Sequence, residues 1–283
     1  MKFNKISALV LALSTAGLAQ AAPVVINDSA LSYNQSFDTL TQNTTAQTWA
    51  NDSTLAGWSL IIANNNTAVT SLAANTGSSS TGAFYSFGSA SSSDRAIGSI
   101  ASNGTYWGGS TAAASGKVVG YIALALTNST NRTLTQFTLN YDGEQWRDSG
   151  DQTTLNQSLQ FQYGFGSSFA AVTTWTNAGS AFNFTAPVGT TTARALDGNV
   201  AANRVANLGG TVSASWAANT TLWVRWADTN DNGSDHGLAI DNVTFSAPAA
   251  VVVTPEVPEP TSGAIALAGL VVAGLVARRR KAA

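Results

Sequence analysis

Between residues 22 and 247 the apolar positions recur with a period of two, and no apolar stripe of helical spacing lasts three turns. Trp58, Leu60 and Ile62 alternate with Ser59 and Ile61, and Phe137, Leu139 and Tyr141 alternate with polar partners. Leu159, Phe161, Tyr163 and Phe165 form a third such row, and Leu222, Val224 and Trp226 a fourth, with Trp223 and Arg225 on its opposite side. Alternation of this kind describes strands packed on one face. Val118 to Leu126 is nearly all apolar, which predicts a central strand covered on both sides. Clusters of Gly, Asn, Ser and Thr between the rows supply turns, and the stretches from Asn64 to Gly82 and from Gly88 to Ser93 read as long loops. The expected fold is all-β, a single antiparallel β-sandwich of about ten or more strands with jelly-roll topology, a size that one domain commonly reaches.

The two ends follow other rules. Lys2 and Lys5 precede an apolar stretch from Ile6 to Leu18, and Ala19-Gln20-Ala21 offers small residues at a cleavage site, so residues 1–21 read as a signal peptide. Residues 248–256 form a Pro- and Val-rich stalk. Beyond it stand Val257-Pro258-Glu259-Pro260, an uncharged run from Thr261 to Ala277, and then Arg278, Arg279, Arg280 and Lys281. As a helix that run is about 25 Å long, at the short end of what crosses a hydrocarbon core of about 30 Å, with the cations left on the cytoplasmic side.

Setting the ends aside changes the charge. Seven of the 13 Lys and Arg and 13 of the 15 Asp and Glu lie in the body, which therefore carries a net charge of −6 while the whole chain carries −2. An acidic surface repels phosphate backbones, so nucleic acid is not an expected partner. The chain has no cysteine, which removes disulfides, thiolate metal sites and a cysteine nucleophile. A body of this length can bury a core sufficient for stability without them.

The order of proline-broken motif, apolar run and basic stop resembles the PEP-CTERM sorting signal, with Val257, Pro258, Glu259, Pro260, Arg278, Arg279 and Arg280 as its markers. The resemblance implies an exported exosortase substrate of a Gram-negative bacterium. Signal peptidase and exosortase are its processing partners, residues 261–277 hold it transiently in the inner membrane, and its destination is the cell surface or extracellular matrix. A second resemblance links Phe87-Gly88-Ser89, Asp94-Arg95-Ala96, Tyr141 to Arg147, Ala195 to Asn199, Asn203-Arg204, Leu222 to Trp226 and Asp235 to Asp241. Together these are similar to a module of bacterial exported proteins, found before such tails or appended to secreted nucleases. That resemblance implies a lectin-like or carbohydrate-binding sandwich and names no ligand.

Two clusters and one aromatic suggest chemistry. Asp228, Asn230 and Asn232 place side-chain oxygens at every second position, with Gly233 next, as in the first half of a calcium loop. Ala239 stands where such a loop carries its bidentate Glu, so Ca2+ would need Asp235 or Asp241, and a metal-free Asn/Asp/Gly turn is the other reading. Glu144, Trp146 and Arg147 offer a carboxylate, a stacking ring and a donor fork for a sugar, or else Glu144 pairs with Arg147, Arg204 or Arg225 at a sheet edge while Trp146 enters the core. Trp107 faces a sugar if its loop leaves it exposed, and closes the core if the loop folds back. A glycosidase needs two carboxylates across one bond, for which Glu144 with Asp235 or Asp241 is the available choice. His236 is the sole histidine, which excludes multi-histidine metal centres. The expectation is a nonenzymatic surface protein that binds or organises extracellular polysaccharide; the alternatives are a secreted polysaccharide hydrolase and a structural envelope protein without a specific ligand.

Overall fold

The computed structural model describes residues 23–101, 106–107, 111–151 and 157–250 of the 283. The signal peptide, most of the stalk and the sorting tail called above lie outside the described residues, and among those described no helix is long and apolar enough to cross a membrane. In chain order the strands are β1 (Val24–Ile26), β2 (Ser32–Gln35), β3 (Gln47–Thr48), β4 (Trp58–Ile62), β5 (Thr67–Ala68), β6 (Ser71–Asn75), β7 (Ala83–Phe87), β8 (Ala96–Ile100) and β9 (Lys117–Asn128). They continue with β10 (Leu134–Asp148), β11 (Ser158–Phe165), β12 (Thr176–Asn177), β13 (Phe184–Thr185), β14 (Arg194–Ala195), β15 (Arg204–Trp216), β16 (Thr221–Asn230) and β17 (Gly237–Ser246).

These strands form two sheets. Sheet I runs β12-β11-β16-β9-β4-β5, with β1 beside β9 and β13 beside β11; sheet II runs β14-β10-β17-β8-β7-β6-β3, with β15 beside β10 and β2 beside β17. The apolar row from Val118 to Leu126 lies in β9, held between β16 and β4 as expected of a central strand. The inner faces meet through Trp58, Leu60, Leu124, Phe161, Val224 and Trp226 on one side and Phe137, Leu139, Tyr141, Ile97, Ile240 and Phe245 on the other, all buried. Trp226 stacks on Trp58 at 5.9 Å within sheet I and takes the edge of Tyr141 from sheet II at 5.3 Å. Burying each such side chain contributes about 1.5–3 kcal/mol or more, which is how a chain without disulfides holds two sheets together.

Three features depart from the sequence pattern. The sandwich is not wholly antiparallel, because β1 pairs parallel with β9 and β6 parallel with β7. The segment read as a loop from Asn64 to Gly82 contains β5, an exposed edge strand, and β6, a mostly buried strand between β7 and β3. Finally, β16 continues to Asn230 instead of ending at Trp226, so Asp228 and Asn230 belong to a strand paired with β9 and not to a turn.

A bulge in β17 decides which face its polar residues take. Leu238 and Ile240 point inward, Asn242 adopts φ 49°, and the inward row resumes at Val243 and Phe245. The pairing with β10 shifts register between Asn140 and Asp142 at the same place. Asp241 is thereby left on the outer face of sheet II, opposite Asp142.

Candidate functional site

The outer face of sheet II gathers most of the separate segments that the second resemblance singled out, while Leu222 to Trp226 lie in β16 of sheet I. Phe87 of β7 stacks on Trp146 of β10 at 6.1 Å and 10°, with Tyr85, Ala96, Ile100 and Ala239 buried around them. The loop after β14 lies over this patch: the Leu196 N–H donates to the Trp146 carbonyl at 2.8 Å, and Gly198 sits against the indole. A Cβ at Gly198 would lie 2.4 Å from Trp146 Nε1, so only glycine permits that closure. Arg95 turns its guanidinium to Ser86 and the Ser89 carbonyl, and a Cβ on Gly88 would collide with it at 2.2 Å.

Glu144 is buried at the centre of this patch, 1% exposed, and accepts from Trp146 Nε1 at 2.9 Å through Oε2. Asp241, 2% exposed, is its diagonal neighbour on β17, since Glu144 pairs with Ala239. Burial raises Glu144 to about 7, and burial together with the charge of Glu144 raises Asp241 to about 8. Of the three arginines considered for an ion pair with Glu144, Arg147 is half-buried and bonds the Gly77 carbonyl at 3.0 Å, Arg225 lies on the aromatics of sheet I, and Arg204 stands opposite Glu144 on β15 with its guanidinium 3.8 Å from Asp142. Trp146 is 1% exposed. This cluster is a second, smaller core under a loop and does not present an open sugar wall, which corrects the reading of Glu144, Trp146 and Arg147 as ligand contacts. The carboxyl pair weighed for hydrolysis does converge as Glu144 and Asp241, while Asp235 goes elsewhere; neither member of the pair is reachable by a glycan here.

The five residues considered for Ca2+ do not assemble. Asp228 points between the sheets, where Ser99 Oγ donates to its Oδ2 at 2.7 Å and burial pushes it up to about 8. Asn230 uses its amide Nδ2 on the Ala113 carbonyl at 2.7 Å, and Asp235 Oδ1 accepts from the Asp231 N–H at 2.8 Å across the turn at Gly233. Asn232 is exposed, and Asp241 lies on the outer face of the other sheet. Among the described residues no three His, Cys, Asp or Glu form a group that could hold a metal. His236 is buried, accepts the Ser149 N–H at Nδ1 and is kept neutral by that burial, a packing role.

Trp107 folds inward. Its ring meets Phe84 edge-on at 4.5 Å and fills the space above Gly120, where a Cβ would stand 2.2 Å from the indole. At 7% exposure it closes one end of the core and offers no stacking face.

A different region has the chemistry that these residues lack. At the seam between the sheets, β11 of sheet I faces the end of β15 of sheet II across two hollows of about 430 Å³ and about 620 Å³. The hollows meet at Phe165 and Ser215, which line both. Tyr163 and Phe165 stand half-buried in this groove, and Thr173, Thr174, Asn219 and Thr221 are among its rim residues. Every lining side chain is uncharged. Sequence reasoning placed Tyr163 and Phe165 in the core because they continue the row of Leu159 and Phe161. The strand outruns its cover, which the period alone does not reveal; the Thr pairs at 173–174 and 220–221, flanking the same seam, were the available signal.

The PEP-CTERM protein-sorting motif matches residues 256–281, so the chain carries that signal. No curated protein matches the sequence. Among solved structures the chain is similar to the CBM22-1 xylan-binding domain of Paenibacillus barcinonensis Xyn10C, at 10% identity over 77% of this chain and 94% of that one, with a TM-score of 0.35. It is also similar to the CBM22-1-CBM22-2 tandem of the same protein, at 10% identity over 85% of this chain and 49% of that one, with a TM-score of 0.33. A third likeness is to isomalto-dextranase of Arthrobacter globiformis T6 complexed with panose, at 11% identity over 76% and 34%, with a TM-score of 0.25. Superpositions this loose carry no inference about a site.

Proposed function

We propose that this chain is an exported protein, sorted by an exosortase to the cell surface, whose β-sandwich binds neutral extracellular polysaccharide without cleaving it. The groove between β11 and β15 is the observation that supports binding. Sugar rings present apolar faces edged by hydroxyls, and partly buried Tyr163 and Phe165 among Thr, Ser and Asn side chains offer matching faces and hydrogen-bond partners. An uncharged lining on a body of net charge −6 favours a neutral polymer over an acidic one. The binding reading needs no calcium.

The test is affinity electrophoresis of the full-length protein in detergent through gels containing soluble xylan, dextran or hydroxyethyl cellulose, with reducing ends assayed afterwards. Retardation in at least one gel, lost in Tyr163→Ala and Phe165→Ala but kept in Trp107→Phe, is the expected result. Free migration in every gel, or retention unchanged in both groove variants, would remove the groove from the argument. Released reducing ends would make the protein a hydrolase. For the sorting half, changing Pro258-Glu259-Pro260 to alanines is expected to leave an uncleaved precursor in the membrane; normal maturation rejects exosortase recognition.

A further inference from the structure

The strongest unexplained feature of the molecule is a pair of orphaned oxygens. Glu144 Oε1 and Asp241 Oδ1 are both buried without a hydrogen-bond partner, on the same face of adjacent strands. An ionised carboxylate left in that condition costs several kcal/mol, and two side by side would repel as well. A single proton placed between them removes both defects, because one carboxyl then donates to the other and each orphan gains its partner. We infer that Glu144 and Asp241 form a proton-sharing carboxyl pair that latches the loops over the outer face of sheet II and releases them in alkaline medium.

The charged groups around the pair agree with this assignment. From the loop after β2 comes Asp38, from the segment before β8 come Asp94 and Arg95, from β10 comes Asp142, from the loop after β14 comes Asp197, and from the start of β15 comes Arg204. Four of these are acids. Arg95 is engaged with Ser86 and the Ser89 carbonyl; Arg204, opposite Glu144 on β15 and 3.8 Å from Asp142, lowers Glu144 in part but does not offset its burial. Asp142 itself is occupied, accepting from the Asn207 N–H and Asn242 Nδ2. Trp146 holds Glu144 Oε2, which leaves Oε1 as the unpartnered atom.

The direction of the pH effect follows from the proton count. In the unfolded chain both acids lose their protons near pH 4, whereas in the folded chain they hold on until about pH 7 and about pH 8. The folded state therefore binds more protons between those limits, and stability falls as pH rises from about 4 to about 8. Above that window the pair carries two charges under the Gly198 loop.

Thermal unfolding of the full-length protein in detergent at pH 5.5 and pH 9 tests the pair. The wild-type Tm is expected to fall by on the order of 5 °C between them. Glu144→Gln and Asp241→Asn each supply a permanent donor to the remaining carboxylate, so each is expected to flatten that slope and to exceed wild type at pH 9. A second readout follows the site itself. The chain has three glutamates, Glu144, Glu256 and Glu259, so 13C-carboxyl glutamate labelling gives three resonances, and the one missing in Glu144→Gln is expected to titrate near neutrality. A Glu144 resonance titrating near 4.5, or an unchanged pH slope in both variants, overturns the proposal. So does a rise in wild-type Tm at pH 9 on adding CaCl2 that both variants abolish, since a cation would then occupy the place assigned to the proton.

Discussion

The outer faces of the two sheets both bury charge beneath a loop, and they deal with it in opposite ways. On sheet I, Arg225 lies 3.8 Å over the Trp175 ring and 4.1 Å over Tyr121, with Phe169 nearby, while its Nε donates to Gln162 Oε1 at 2.8 Å. A guanidinium suits such a place because its flat faces are weakly hydrated and π-systems accept them. Burial still lowers its pKa to about 10, which leaves it charged across the physiological range. On sheet II, Glu144 meets an indole N–H and has Asp241 as its diagonal neighbour on the next strand, and carboxylates have no comparable affinity for aromatic faces. Two patches of similar construction thus differ in their response to pH: the cationic one is indifferent to it below about 10, and the acidic one is not.

The comparison can be broken by substitutions of graded severity. Trp146→Ala should have the largest effect, about 3–5 kcal/mol in urea unfolding, because it removes a fully buried ring, its stack on Phe87 and the donor to Glu144 together. Arg225→Ala should cost about 1–3 kcal/mol through lost stacking and packing, with the pH slope of stability unaltered between pH 5.5 and 9. A changed slope would mean that the two faces are coupled. Ser99→Ala should cost about 1 kcal/mol, since it leaves Asp228 one donor short between the sheets. Asp228→Asn is expected to be near neutral at pH 6, where the acid is held protonated, and stabilising at pH 9; equal loss at both would show that Asp228 is ionised in the fold.

Much of the strand content was legible, because a period of two with one apolar face leaves little choice. The rows of β4, β10, β11 and β16 are where the alternation put them, and β9 is central because both its faces are apolar. What the alternation hides is which rows are covered on their far side. Trp175 and Arg225 lie on an outer face that a loop closes, and Tyr163 and Phe165 lie on an inner row that the opposite sheet covers only in part, with Phe137 meeting Tyr163 edge-on. The calcium-like spacing at Asp228, Asn230 and Asn232 misled for a related reason. In a strand, oxygens at alternate positions share one side and point into whatever that side packs against, here Ser99 and the Ala113 carbonyl. The convergence of Glu144 and Asp241 depended on the β17 bulge, for which Asn242 was the only local hint.

Arg132 has a mechanical role. Its guanidinium reaches Asp28 on one side and the Pro248 carbonyl at 2.8 Å on the other, tying the start of the sandwich to the residue where β17 leaves it. Tension applied to the chain beyond Pro248 meets that clip first. It then runs lengthwise along β17, whose ten residues are bonded to β10 on one flank and to β8 and β2 on the other. Strands pulled along their axis load their hydrogen bonds together and not one after another, so a surface protein tethered at this point would resist drag in shear, where a hairpin end would peel.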